Sequence, residues 1–231
     1  MVARRVKSKA GRWGDRNVER QRVVMDALIA LIEESEPGAE VPFQAIAERA
    51  GISRSVIYRH FADRKDLDAK TREYAVELHL ESVMPTVDAA DTIREAVSRA
   101  VHTYVVLVAE HPRLHDWVEQ GAGTDAGDST VASSTKDAVA QQIYSLVLPI
   151  AALFDQSDPG IEVGVYSIVA MVDGAVNRWL RTRPEGWDVP DVSRMLTESL
   201  VILLEGHARM RGVSLDVDLP MDELLASART G

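Results

Sequence analysis

The sequence predicts an all-α fold, with a small N-terminal three-helix unit followed by a larger helical bundle. Three observations carry that prediction. Apolar residues recur at helical spacing along most of the chain, and Pro or Gly punctuates the helical segments. Sustained apolar/polar alternation, the mark of a strand, occurs only at Leu215, Val217 and Leu219. In the first helix Val24, Leu28, Leu31 and Ile32 share a face, and Glu36-Pro37-Gly38 ends it. Pro42 can occupy the first turn of a second helix, in which Phe43, Ile46, Ala47 and Ala50 follow at i, i+3, i+4 and i+7, with Gly51 directly behind. Ser53 stands as the N-cap of a short third helix that holds Val56 and Ile57, and Asp63 starts a fourth that runs towards Val83. Beyond Pro85 the pattern predicts helices over 91–110, 112–120, 134–154, 159–183 and 190–211, with a loop over 121–130 where the sequence reads GAGTDAGDST.

A length of 231 residues accommodates one large domain or a small one joined to a larger. The composition, 46% hydrophobic and 27% charged, excludes collagen-like and wholly disordered chains. With no cysteine, disulfide scaffolds, Cys-ligated metals and Cys nucleophiles are excluded, and a reducing compartment fits. The longest apolar runs, residues 144–154 and 163–172, are too short and too interrupted for a membrane span, and Met1 to Arg22 has no apolar core of a secretory signal. The expectation is a soluble protein of the cytoplasm. The net charge of -10 is unevenly placed, with +3 over residues 1–70 and -13 over the remainder. A basic head on an acidic body fits a head that approaches a polyanion, or a solubilising tail.

The segment from Ala45 to Phe61, AIAERAGISRSVIYRHF, has the helix, tight Gly turn and second helix of a helix-turn-helix DNA reader. Small Ala47 and Ala50 suit a close helix crossing, Gly51 relaxes a left-handed turn, and Ile46, Ile52, Ile57 and Phe61 form the interior. Arg54, Ser55, Tyr58, Arg59 and His60 are left outward. Arg can donate two hydrogen bonds to guanine, Ser reads several base edges, and Tyr or His can bond a phosphate.

These residues resemble the TetR family of one-component transcriptional regulators. Ile46-Ala47, Ala50-Gly51-Ile52-Ser53, Ile57-Tyr58-Arg59-His60-Phe61, Arg64-Lys65 and Leu67 look like that family's I-A…A-G-V-S…L-Y-x-H-F…K-x-x-L run. The resemblance implies a homodimer whose paired N-terminal domains bind a palindromic operator, and a C-terminal domain that takes a small molecule and spreads the heads. By position it implies base or sugar-phosphate contacts from Arg54, Ser55, Val56, Tyr58 and Arg59, and phosphate contacts from His60 and Arg64. It also implies backbone contacts near Phe43 and Gln44, with Lys65 a second candidate beside Arg64. The implied division is a basic flexible arm over 1–16, the DNA-binding domain over 17–66 and the ligand-binding and dimerisation domain over 67–231. Two departures stand out: Val41-Pro42 replaces the family's hydroxyl cap, and Arg64 replaces its usual lysine. The arm itself, with Arg4, Arg5, Lys7, Lys9, Arg12 and Arg16, can enter a neighbouring minor groove or simply screen repulsion.

Apolar residues cover much of the circumference of the segment Ile161 to Leu180, and Leu200 to Leu204 is apolar all round. Such helices need cover on more than one side. A second subunit packed on 159–183 and 190–211 supplies it, as would burial as the central helix of a monomer. Candidate ligand contacts are Tyr104, Trp117, Tyr144, Phe154, Tyr166, Asp173 and Asn177, each of which could equally serve the core or a subunit interface. Asp173 and Asn177, one turn apart on an apolar helix, could orient an effector, satisfy each other or meet their dimer mates. The aliphatic lining favours a hydrophobic effector. His111 and His115 have metal-ligand spacing, but Pro112 between them puts His111 outside the helix and misaligns the pair. No catalytic, cofactor or metal site is expected, since no nucleophile elbow or phosphate loop is present. The leading expectation is a ligand-responsive repressor. An activator, a regulator whose ligand promotes DNA binding, and a helical carrier or enzyme retaining a helix-turn-helix corner are the alternatives.

Overall fold

Apolar periodicity becomes ten helices in a computed structural model that describes residues 9–83, 88–120, 130–154 and 159–228. In chain order they are α1 (Lys9–Glu34), α2 (Phe43–Ala50), α3 (Arg54–His60), α4 (Arg64–Val83), α5 (Ile93–Glu110), α6 (Pro112–Gln120), α7 (Thr130–Leu153), α8 (Gly160–Thr182), α9 (Val189–Met210) and α10 (Met221–Ala228). The chain divides into two compact units, one of residues 1–76 and 113–121, the other of 77–112 and 122–231. This compact division falls inside α4, and α6 groups with the N-terminal unit.

In the N-terminal unit Val24, Leu28 and Ile32 of α1 meet Ile46 of α2, Ile57 and Phe61 of α3 and its end, and Leu67 of α4 in one core. A smaller cluster joins Ala75 of α4 to Leu114 and Val118 of α6. Polar contacts fix α6 there: Arg113 donates to the carbonyls of Glu33 and Ser35 at the end of α1, and the Leu114 amide donates to Glu33 Oε1 at 3.1 Å. A long side chain thus satisfies carbonyls that a helix C-terminus leaves unpaired. Of the expected arm, residues 9–16 have helical backbone continuous with α1, and residues 1–8 lie outside the described residues.

The second unit is built on α5, α8 and α9. Val101, Val105 and Val108 pack with Val176 and Trp179 and with Val192, Leu196 and Leu200. Two capping boxes set the helix starts, Thr92 with Glu95 for α5 and Asp188 with Asp191 for α9. The first places the start of α5 after Thr92 rather than at 91. The alternation at Leu215, Val217 and Leu219 forms no strand; among the described residues its end carries an isolated bridge between Thr92 and Pro220. The segment is instead an extended strap: the Arg94 amide donates to Val217 O at 3.1 Å and Met221 N to Asp91 O at 2.9 Å, while the Val217 side chain is fully buried. α10 follows, unanticipated from sequence, with Leu224 buried. The loop expected over 121–130 lies outside the described residues up to 129.

By length and composition α8 passes as a candidate membrane span, because an 18-residue window of it is apolar on average and holds no more than two charged residues. That is a property of its composition. One face of α8, through Val176 and Trp179, is buried in the core of the second unit.

Candidate nucleic-acid interface

Residue 51 is where the geometry of the site is decided. Gly51 ends α2 at φ 65°, ψ 29°, and its amide and that of Ile52 return to the carbonyls of Glu48 and Ala47. This left-handed closure is open to glycine without the steric cost a Cβ would bring. It turns the chain sharply into α3, which Ile57 and Phe61 anchor in the core at 0% and 1% exposure. Once Ile57 points inward, helical register leaves the opposite face of α3 to solvent.

Arg54, Ser55, Tyr58 and Arg59 are all exposed on that face, whereas Val56 and His60 are half-buried. Ser53 holds the N-cap position, but its hydroxyl does not cap the helix; it lies 2.9 Å from the Ser55 hydroxyl. At the start of α2, Pro42 occupies the N-cap position without a side-chain cap, and Phe43 follows. The Phe43 ring stacks on Tyr58 with centroids 5.1 Å apart and planes inclined by 29°. Gln44 is exposed and donates to Glu48 Oε1 at 2.6 Å. Arg64 is half-buried at the start of α4, with its guanidinium bonded to Asp68 and to the Val41 carbonyl, and Lys65 beside it is exposed. An exposed ion pair between Arg49 and Glu34 ties the ends of α2 and α1.

Sequence reasoning did not single out Arg20 and Gln21. Gln21 Nε2 donates to the His60 carbonyl at 3.4 Å, which brings α1 to the C-terminal end of α3. Burial lowers the His60 imidazole below its usual 6.5, and the positive charges of Arg20 and then Arg59 lower it further. A cluster of cations around an imidazole held towards its neutral form is a surface prepared for an anion. The signal for Arg20 in the sequence was only its membership of the basic N-terminal stretch.

Of the candidate ligand residues, two are bonded to each other. Tyr104 donates its hydroxyl to Asp173 Oδ1 at 3.1 Å, with Tyr104 packed at the edge of the core of the second unit. Asn177, Tyr144 and Phe154 are half-buried, and Tyr166 is 42% exposed. Trp117 belongs to the N-terminal unit, where the Arg72 guanidinium lies 4.2 Å from its ring centre. His111 sits at the end of α5 and His115 inside α6, and no group of three metal-ligating side chains occurs among the described residues.

Residues 26–68 match the family model for bacterial regulatory proteins of the tetR family. The uncharacterized HTH-type transcriptional regulator Rv0472c of Mycobacterium tuberculosis is 25% identical over 174 residues, which cover 73% of this chain and 71% of the relative. The nucleoid occlusion factor SlmA of a Marinomonas species is 23% identical over 77% of this chain and 96% of its own length. Among solved structures, a tetR-family transcriptional regulator from Streptomyces coelicolor shares the fold with a TM-score of 0.64, at 20% identity, over 91% of this chain and 88% of that one. Rv0472c and the Streptomyces protein are both described as transcriptional regulators. With helix-turn-helix geometry on α2 and α3, residues 26–68 match the domain that defines bacterial regulatory proteins of the tetR family, and the chain shares the fold of such regulators.

Proposed function

We propose that the chain is a ligand-responsive repressor that binds a palindromic operator as a homodimer and leaves it when a small hydrophobic effector is bound. The observation that carries the proposal is the outward face of α3, where Arg54, Ser55, Tyr58 and Arg59 stand exposed on a helix anchored by Ile57 and Phe61. A short helix with this surface fits the major groove, Arg54 and Ser55 near its start reaching base edges with Val56 beside them. Tyr58, Arg59, His60, Gln44 and Lys65 supply donors for sugar and phosphate. Such a protein works in the cytoplasm, where its operator is.

Dimerisation draws its support from exposed apolar side chains on α8 and α9. Val163 is 69% exposed and Ile202 66%, with Tyr166, Met195 and Met210 also exposed. Gly174 and Ala170 interleave on α8 as residues small enough for a close helix approach. Two-fold symmetry in the protein then asks for two-fold symmetry in the DNA, with half-sites about 34 Å apart. For the effector, the buttressed polar pair of Tyr104 and Asp173 at an apolar core offers an orienting group, with Asn177, Tyr144, Phe154 and Tyr166 as candidate lining. Release requires that the effector bind the DNA-incompetent state more tightly, since equal affinity for both states shifts nothing. The test is selection of duplexes from a random pool by the purified full chain, followed by release of the enriched duplex by hydrophobic small molecules. Enrichment of an inverted repeat and its release are expected; enrichment of nothing removes the proposal.

A further inference from the structure

Arg64 carries a positive charge at the start of α4, yet its guanidinium is spent within the protein. Nε donates to Asp68 Oδ1 at 2.8 Å, Nη1 donates to the Val41 carbonyl, and the guanidinium carbon lies 6.0 Å from the centre of the Phe43 ring. Phe43 in turn stacks on Tyr58. The result is a continuous column from α4 through the first residue of α2 to the outer face of α3, ending on a tyrosine that is 49% exposed.

We propose that Arg64 and Phe43 are positioning residues for DNA readout, acting through Tyr58, and are not themselves phosphate contacts. This rests on the DNA-binding reading above. The column does two things for Tyr58. A ring stacked on one side has fewer orientations to lose when its hydroxyl engages DNA, so less of the contact is offset by ordering. Tying Val41 to α4 also fixes where α2 begins, and with it the position of Phe43 under the Tyr58 ring. A guanidinium suits the task because its planar fork serves the Val41 carbonyl and the Asp68 carboxylate together; a lysine ammonium is a point donor on a flexible stem. Asp68 also offsets the Arg64 charge locally, which weakens its pull on a phosphate.

The test uses the full chain, the duplex it enriches from a random pool and a random duplex of equal length, with affinities measured across a series of salt concentrations. Arg64→Lys and Arg64→Gln are compared with Phe43→Leu, which removes the flat ring, and Phe43→Trp, which keeps one; thermal denaturation verifies that each is folded. The expected result is a loss of about fivefold on the enriched duplex for Arg64→Lys, Arg64→Gln and Phe43→Leu, the scale of one aromatic pair. The random duplex is little affected, Phe43→Trp retains binding, and the slope of log affinity against log salt stays at the wild-type value. An Arg64→Lys variant that binds like wild type, with a slope reduced by about 0.9 in Arg64→Gln as for one lost phosphate contact, would overturn the positioning role alone. A wild-type chain that enriches no duplex overturns the DNA reading and the positioning role with it.

Discussion

Arg54 and His60, at the two ends of α3, are expected to do different work. Arg54→Ala should cost about 1–3 kcal/mol of discrimination between the enriched duplex and random DNA, whereas Lys65→Ala should weaken both evenly and lower the salt slope, as competition binding would show. His60 links binding to pH. Its folded-state pKa lies below the unfolded value of 6.5, so in acid the unfolded chain binds the proton more readily. Stability from this residue is therefore present above 6.5 and is lost as pH falls through 6.5 towards the lowered folded value. Denaturation across that range should show a pH slope that His60→Gln reduces. A phosphate near the imidazole acts in the opposite sense by favouring the charged form, so acidification below 6.5 should favour DNA binding more in the wild type than in His60→Gln. At this scale the identities on α3 were legible, because Gly51 and the inward Ile57 and Phe61 fix the register of everything between them. The pairing of Phe43 with Tyr58 was not legible, since stacking depends on how α2 and α3 cross, which no spacing encodes.

Among the elements, the turn between α2 and α3 is the most exacting. Gly51→Ala places a Cβ where φ is 65°; no atom crowds it there, so the loss is backbone strain of about 1–2 kcal/mol. It should appear as a lowered Tm of the N-terminal unit without a change in oligomeric state. The α8–α9 packing is tight in another way, since a Cβ on Gly164 would lie 3.0 Å from Nδ1 of His207. Gly164→Val should therefore displace the His207 ring and destabilise the second unit, read as a lower midpoint in denaturant; small-to-large changes typically cost about 1–3 kcal/mol. The long helices were readable because Pro, Gly and acidic caps bracket their periodic segments. α10 escaped notice because eight residues after an alternating stretch carry little periodicity; what holds that end is non-local, with Arg94 bonded to both Asp218 and Glu198. Similarly, α1 extends back to Lys9 through residues whose composition reads as a charged arm, because helix formation there propagates from the packed turns around Val24.

For the whole molecule, the sequence separated a basic head from an acidic body, and the two compact units match that contrast in outline. It could not assign α6, whose attachment to the N-terminal unit depends on Arg113 reaching the end of α1 and on Leu114 and Val118 meeting Ala75. Nor can spacing alone assign the candidate effector residues, because aromatic residues along a bundle serve cores and interfaces by the same chemistry that binds ligands. Assembly is open to a direct check. Ile202→Glu puts a charge on the exposed apolar face of α9, and sedimentation should show a dimer in the wild type and a monomer in the variant, with weakened DNA binding. The measurement that bears most directly on the central reading is selection from a random duplex pool by the full chain, repeated with Arg54→Ala. An inverted repeat with half-site centres about 34 Å apart, whose preference relaxes at one base pair per half-site in the variant, is the predicted result. Uniform recovery of unrelated sequences, or an enriched site that Arg54→Ala reads as well as the wild type, would contradict the assignment of α3 as the reader.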